Sequence, residues 1–167
     1  MDEVEIVQTF DISAYSRLIF LPLNTKSAKL PPRDDNTYKP VKNVLSKADE
    51  IFIEGLEDEL DDKIKLEKME EISESDPKII NEKALILKGK VSEINPGSRA
   101  ARIWIGFGAG KSRVEIEGEI VDGKSQKTLL KFKHARAAAF DTRDYEKTLS
   151  NDLEQIGRDV GEMLLKF

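Results

Sequence analysis

The residues with the strongest claim to chemistry lie at 106–112, where the chain reads Gly-Phe-Gly-Ala-Gly-Lys-Ser. Its close, Gly110-Lys111-Ser112, has the form of a phosphate-binding loop. In such a loop, backbone amides and a lysine hold the phosphates while a hydroxyl reaches magnesium. The pattern requires its first glycine at position 105, which is Ile105. The context fails as well, because a phosphate loop must run into a helix whose free amides complete the anion site. Here the residues after Ser112 alternate as a strand does, with Arg113, Glu115, Glu117 and Glu119 against Val114, Ile116, Gly118 and Ile120. A dinucleotide fingerprint fails on spacing, since Gly110 follows Gly108 too closely. The segment therefore reads as a glycine-rich turn or bulge leading into a strand, with Trp104 and Phe107 plugging a core edge. Arg99, Arg102, Lys111 and Arg113 still gather positive charge around it. Arg99, Arg102, Trp104, Gly106, Gly108, Gly110 and Lys111 are thus the expected surface for a partner or anionic ligand.

Other chemistries have less support. The chain has no cysteine and one histidine, which removes thiolate chemistry, disulfides and multi-histidine metal centres. His134 shares its strand parity with Leu130 and Phe132, so it is expected to be a satisfied, partly buried side chain. No Gly-x-Ser-x-Gly elbow occurs. Asp34-Asp35-Asn36 lacks the spacing of a calcium loop. The adjacent carboxylates Asp61-Asp62 and Glu70-Glu71 read as solvated surface, because an acid/base pair needs two different environments in one cleft. The expectation is no catalytic, cofactor-binding or metal-binding residue. The net charge of -5 argues against sequence-independent nucleic-acid binding, which needs a dense basic face. It equally gives no support for electrostatic attachment to anionic lipid.

These residues need elements to position them. Residues 18–23 form a short apolar run that exits at Pro22, a buried strand preceded by an irregular N-terminal segment. Leu30 to Asn36 is a loop. Phe52, Leu56 and Leu60 recur at helical spacing and predict a helix over 46–61, with Ser46 as its N-cap. Residues 64–72 are ambiguous, a short edge strand being one reading, and 73–83 form a polar linker. Period-two alternation over 84–94, 112–121 and 127–136 predicts three strands of a half-exposed antiparallel sheet. Asp122-Gly123 predicts a hairpin between the last two, its loop extended by Lys124, Ser125 and Gln126. Tyr145, Leu149, Leu153, Ile156, Val160, Met163 and Leu164 predict a C-terminal helix capped by Asp141 or Thr142. Gly157 and Gly161 inside it predict close backbone packing against another element. The whole is expected to be a single α+β domain over 1–167: one layer of about four mainly antiparallel strands packed against two helices.

Several of these features resemble a bacterial family known as domain of unknown function 4410. They are Gly97-Ser98-Arg99-Ala100-Ala101-Arg102, the glycine segment 106–112, and the alternating strand that ends at Asp122. The strand at 18–23, the loop at 28–38 and the following helix are also similar. Many members look exported or lipid-anchored, and the resemblance carries no catalytic residues. This chain departs from the exported pattern in lacking a basic-apolar leader and a lipid-attachment cysteine. After Asp122 it also reads Gly123-Lys124-Ser125, without the Thr-Gly the family suggests there.

The expected function is that of a non-enzymatic accessory or interaction domain of the bacterial cell envelope. It would be periplasmic or lipid-anchored in the outer membrane if a leader has been removed, and cytoplasmic otherwise. Protein partners or self-association are expected, without nucleic acid or a transmembrane segment. One alternative is a sensor or enzyme that binds a phosphorylated ligand at 106–112. Another is an oligomer subunit with Trp104 and Phe107 as contact anchors.

Overall fold

Short extended stretches open the chain, and a long helix closes it. The structure, a computed structural model, describes residues 1–71, 83–97, 111–137 and 144–167. In chain order these form β1 (Glu3–Ile6), β2 (Arg17–Phe20), α1 (Tyr38–Ser46), α2 (Ala48–Leu60), β3 (Lys65–Lys68), β4 (Ala84–Asn95), β5 (Arg113–Asp122), β6 (Thr128–Arg136) and α3 (Tyr145–Leu164). The strands make one sheet in the order β1-β6-β5-β4-β2-β3.

The α+β class is as expected, and the antiparallel half of the sheet follows the alternation in the sequence. β5 pairs antiparallel with β4 and β6, and the β5–β6 hairpin turns at Asp122 and Gly123. The other half differs, because β2 runs parallel to both β3 and β4. For β3 the cause is the connection: α1 and α2 cross over between β2 and β3, so the chain re-enters the sheet in the same direction. The sheet is therefore mixed and six-stranded among the described residues. The N-terminal segment, expected to be irregular, contributes β1 by pairing Glu3 to Ile6 with Lys133 to Leu130. The ambiguous stretch after Ile64 does become an edge strand, β3.

The helices also depart from expectation. Among the described residues there are three rather than two. Ser46 ends α1, its hydroxyl donating to the Asn43 carbonyl oxygen at 2.7 Å, so it does not cap α2. What the sequence presents as a loop ending at Asn36 runs directly into α1. Asp35 starts that turn, its carboxylate accepting from the amide and hydroxyl of Thr37 at 2.8 and 2.6 Å. Asp144 caps α3 by accepting from the Lys147 amide at 3.0 Å. The expected caps Asp141 and Thr142 lie outside the described residues.

The main core lies between one sheet face and the helices, and a smaller cluster of Ile19, Ala84, Ile86 and Val121 is buried on the opposite face. Leu18, Phe20, Leu85, Leu87, Ile116, Ile120 and Leu130 meet Phe52, Leu56, Leu153, Ile156 and Val160, all buried. Each such side chain contributes about 1.5–3 kcal/mol by leaving water. Phe20 and Phe52 stack with ring centroids 5.7 Å apart. The glycines of α3 have the packing role expected of them. A methyl group at Gly157 would fall on the carbonyl oxygen of Phe52, and one at Gly55 on that of Glu154. The two helices therefore cross with their backbones in contact. On β4, a bulge between Val91 and Glu93 flips the parity, so that Ile94 joins the same core as Leu87. No helix among the described residues is long and apolar enough to cross a membrane.

Candidate functional site

The base of the glycine segment is built from the end of β4, the start of β5 and the first turns of α3. Asn95 is buried, and its side-chain oxygen accepts from the Gly97 amide at 2.9 Å. Gly97 has φ +74, and a side chain there would collide with the backbone of Lys111 and Ser112. The end of β4 and the approach to β5 are thus held backbone to backbone. Ser112 is buried and donates its hydroxyl to Asp152 of α3 at 3.0 Å.

This geometry bears on the phosphate-loop question. A strand, not a helix, follows Ser112, so no helix amides converge there. The serine hydroxyl points at a carboxylate, which would repel a phosphate placed beside it. Lys111 is exposed at the bend before β5. Arg99, Arg102, Trp104, Gly106, Phe107, Gly108 and Gly110 lie outside the described residues.

Arg113, the remaining member of the expected basic cluster, is already bound. Its guanidinium donates to Glu93 at 3.1 Å and to Glu115 at 2.7 Å. Glu115 was expected on the solvated face, yet it is 7% exposed. It also accepts from Ser92 at 2.8 Å and lies 3.1 Å from the Lys133 ammonium. Burial alone would raise its carboxyl pKa. The bonds from Arg113, Ser92 and Lys133 outweigh that and hold it below its ordinary value. Two long basic side chains fold over it, which explains a buried glutamate on a charged face.

His134 is buried, as its parity implies. Its Nε2 lies 2.7 Å from Asp159, which also takes two bonds from Arg136 at 2.8 and 2.9 Å. Its Nδ1 lies 3.3 Å from Asp2, whose carboxylate accepts from the Ala135 amide at 2.8 Å. Burial would raise the Asp159 carboxyl pKa, but Arg136 and His134 outweigh it and lower it. An imidazole between two carboxylates has no hydroxyl to activate. It joins β6 to α3 and faces Asp2, just before β1, with its other nitrogen. The sequence reading missed Asp152 and Asp159. Their signal was available: both interrupt the apolar stripe of the C-terminal helix, beside Leu153 and Val160, seven residues apart on one face.

The sheet face away from the helices carries charges in register. Glu3, Lys133, Glu117 and Lys90 form one row across β1, β6, β5 and β4. Glu5, Lys131, Glu119 and Lys88 form the next. Glu117 lies 2.8 Å from Lys90 and 3.9 Å from Lys133, and Lys131 lies 3.7 Å from Glu5. Each row balances its own charge, so neither row by itself gathers an anion. Among the described residues, no group of three or more His, Asp or Glu could hold a metal ion.

A family model described as Domain of unknown function (DUF4410) matches residues 23–142, well over half of the chain. No curated protein matches. Among solved structures, the PelC dodecamer from Paraburkholderia phytofirmans is similar at 8% identity and TM-score 0.54, covering 95% of this chain and 96% of that one. A second crystal form of the PelC dodecamer gives 10% identity and TM-score 0.53, covering 93% and 96%. A Xanthomonas campestris protein described under domain of unknown function 330 gives 10% and 0.51, covering 90% and 84%. At such identities the likeness is one of fold.

Proposed function

This chain belongs to the family described as Domain of unknown function (DUF4410), and from that premise we propose that it is a non-enzymatic interaction domain of the bacterial cell envelope that acts by self-association. The observation that carries the non-enzymatic reading is the fate of the buried polar side chains. Six are buried among the described residues: Thr37, Asn95, Ser112, Glu115, His134 and Asp152. Each is bonded within the fold, to Asp35, Gly97, Asp152, Arg113, Asp159 and Ser112 respectively. A catalytic site sets such groups beside a nucleophile or acid/base partner in a cleft where substrate can reach them. Here Ser112, Glu115, His134 and Asp152 join strands to one another or to α3, and Thr37 and Asn95 hold local turns.

Self-association is supported by the PelC structures, which are dodecamers. Light scattering on the purified chain tests it: a mass several times 18.9 kDa is expected, and a monomer at all concentrations overturns it. The envelope assignment is tested separately by fractionating bacteria that express the gene product from its native start. Recovery with periplasm or membranes is expected, and recovery in the cytosol overturns it. Calorimetry against nucleotides and sugar phosphates is expected to show no heat. Binding that Lys111→Ala abolishes would overturn the non-enzymatic reading in favour of a phosphorylated-ligand site.

A further inference from the structure

The two edges of the sheet are unlike each other, and the difference points to a way of joining copies. β1 reads Glu-Val-Glu-Ile. Glu3 and Glu5 share the charged face with Lys133 and Lys131, while Val4 and Ile6 share the core side with Phe132 and Leu130. Yet Val4 is 41% and Ile6 53% exposed, so the helix layer does not cover them. At the opposite edge, β3 reads Lys-Leu-Glu-Lys. Lys65 lies on the charged face beside Arg17, and Leu66 on the core side beside Leu18. Lys65 and Lys68 are exposed, and Leu66 is half-buried.

We propose that the β1 edge of one copy pairs antiparallel with the β3 edge of a second copy, continuing the sheet from molecule to molecule. This rests on the self-association reading and names its surfaces. The strand directions fit. β1 runs against β6, and β6 runs with β4, β2 and β3, so β1 meets a neighbour's β3 antiparallel when both sheets face the same way. The side chains fit as well. The register that sets Val4 opposite Leu66 sets Glu5 opposite Lys65, apolar on apolar and acid on base. Glu3 then lies opposite Glu67, whose carboxylate is bound by Arg17 at 2.9 Å. Pairing β1 with another β1 would instead set glutamates against glutamates, which is destabilising. Pairing β3 with β3 would leave Val4 and Ile6 in water. Unlike edges joined head to tail give a ring or an open filament rather than a two-fold dimer.

The absence of cysteine makes the test direct. Within one chain, β1 and β3 stand five strand spacings apart, roughly 24 Å at ~4.8 Å each, too far for a disulfide. The double variant Glu5→Cys, Lys65→Cys, oxidised at a concentration where the native chain is assembled, is expected to form covalent multimers beyond the dimer on non-reducing gels. Each single variant should not. Ile6→Lys, with its far-UV circular dichroism unchanged, is expected to cut the assembled mass by at least half. An assembled native protein whose double variant yields no such multimers, or a Lys65→Cys variant that dimerises alone, overturns the edge pairing and leaves self-association standing. A monomeric native chain overturns both.

Discussion

Glu115 shows what a charged residue does on a surface that looks fully solvated. Its same-face neighbours along β5, Arg113 and Glu117, are half-buried, while Glu115 itself is covered by Arg113 and Lys133 and lowered in pKa by them. A carboxyl lowered in the folded state stabilises that state fully above its unfolded pKa. It loses that contribution as pH falls through the folded value. Glu115→Gln is therefore expected to cost about 1–2 kcal/mol near neutral pH, a figure reduced because Arg113 and Lys133 reach solvent. In urea titrations, the gap between native chain and variant should hold steady above roughly pH 5 and close progressively below it. A gap that stays constant down to about pH 2 would deny the ion pairs their role.

Among the elements, the α2–α3 pair is the most constrained. Gly55 and Gly157 let the two backbones touch, and Arg158 bonds Asp58 and Glu154 beside the crossing. Alanine normally favours a helix over glycine by about 1 kcal/mol. At Gly157 the sign reverses, because the added methyl meets the Phe52 carbonyl, a backbone atom that moves only if the helices separate. Gly157→Ala is expected to destabilise by about 1–3 kcal/mol in chemical denaturation. A stabilised variant would mean that the helices do not lie this close. The same crossing holds α3 where Asp152 and Asp159 can reach Ser112 and His134. Separating the helices should therefore loosen the base of the glycine segment too.

For the molecule as a whole, the question is what covers Val4, Ile6 and Val7, which stay exposed among the described residues. Among the described residues the sheet has six strands and ends in two unlike edges; such edges are open to extension, and natural ones often carry charges that resist it. Here the charges at the two edges are complementary rather than alike. If copies assemble, folding becomes linked to concentration, since only the folded state associates. The melting temperature is expected to rise by several degrees as protein concentration increases a hundredfold. A midpoint independent of concentration across that range would count against assembly.

Much of this was legible without coordinates. Alternation along β4, β5 and β6, the hairpin at Asp122 and the apolar stripe of α3 are local patterns, set by side chains that repeat with the period of their own element. The same locality let Ile105 and the strand after Ser112 argue against a phosphate loop, and the strand is there. Edges were less legible. β1 is a strand only because β6 offers it a ladder, and nothing in Glu-Val-Glu-Ile announces that partner. The parallel half of the sheet depends on where α1 and α2 return the chain, a matter of topology rather than pattern. The pairing of Ser112 with Asp152, of His134 with Asp159, and of Arg113 and Lys133 with Glu115 was invisible for the same reason. Most of these partners lie far apart in the chain, and sequence spacing carries no distance once the chain has crossed over. The sequence by itself determined the periods, the turn chemistry and the absence of cysteine. Only tertiary structure decided which charges are buried and satisfied, which apolar side chains remain exposed, and that the two edges of the sheet differ.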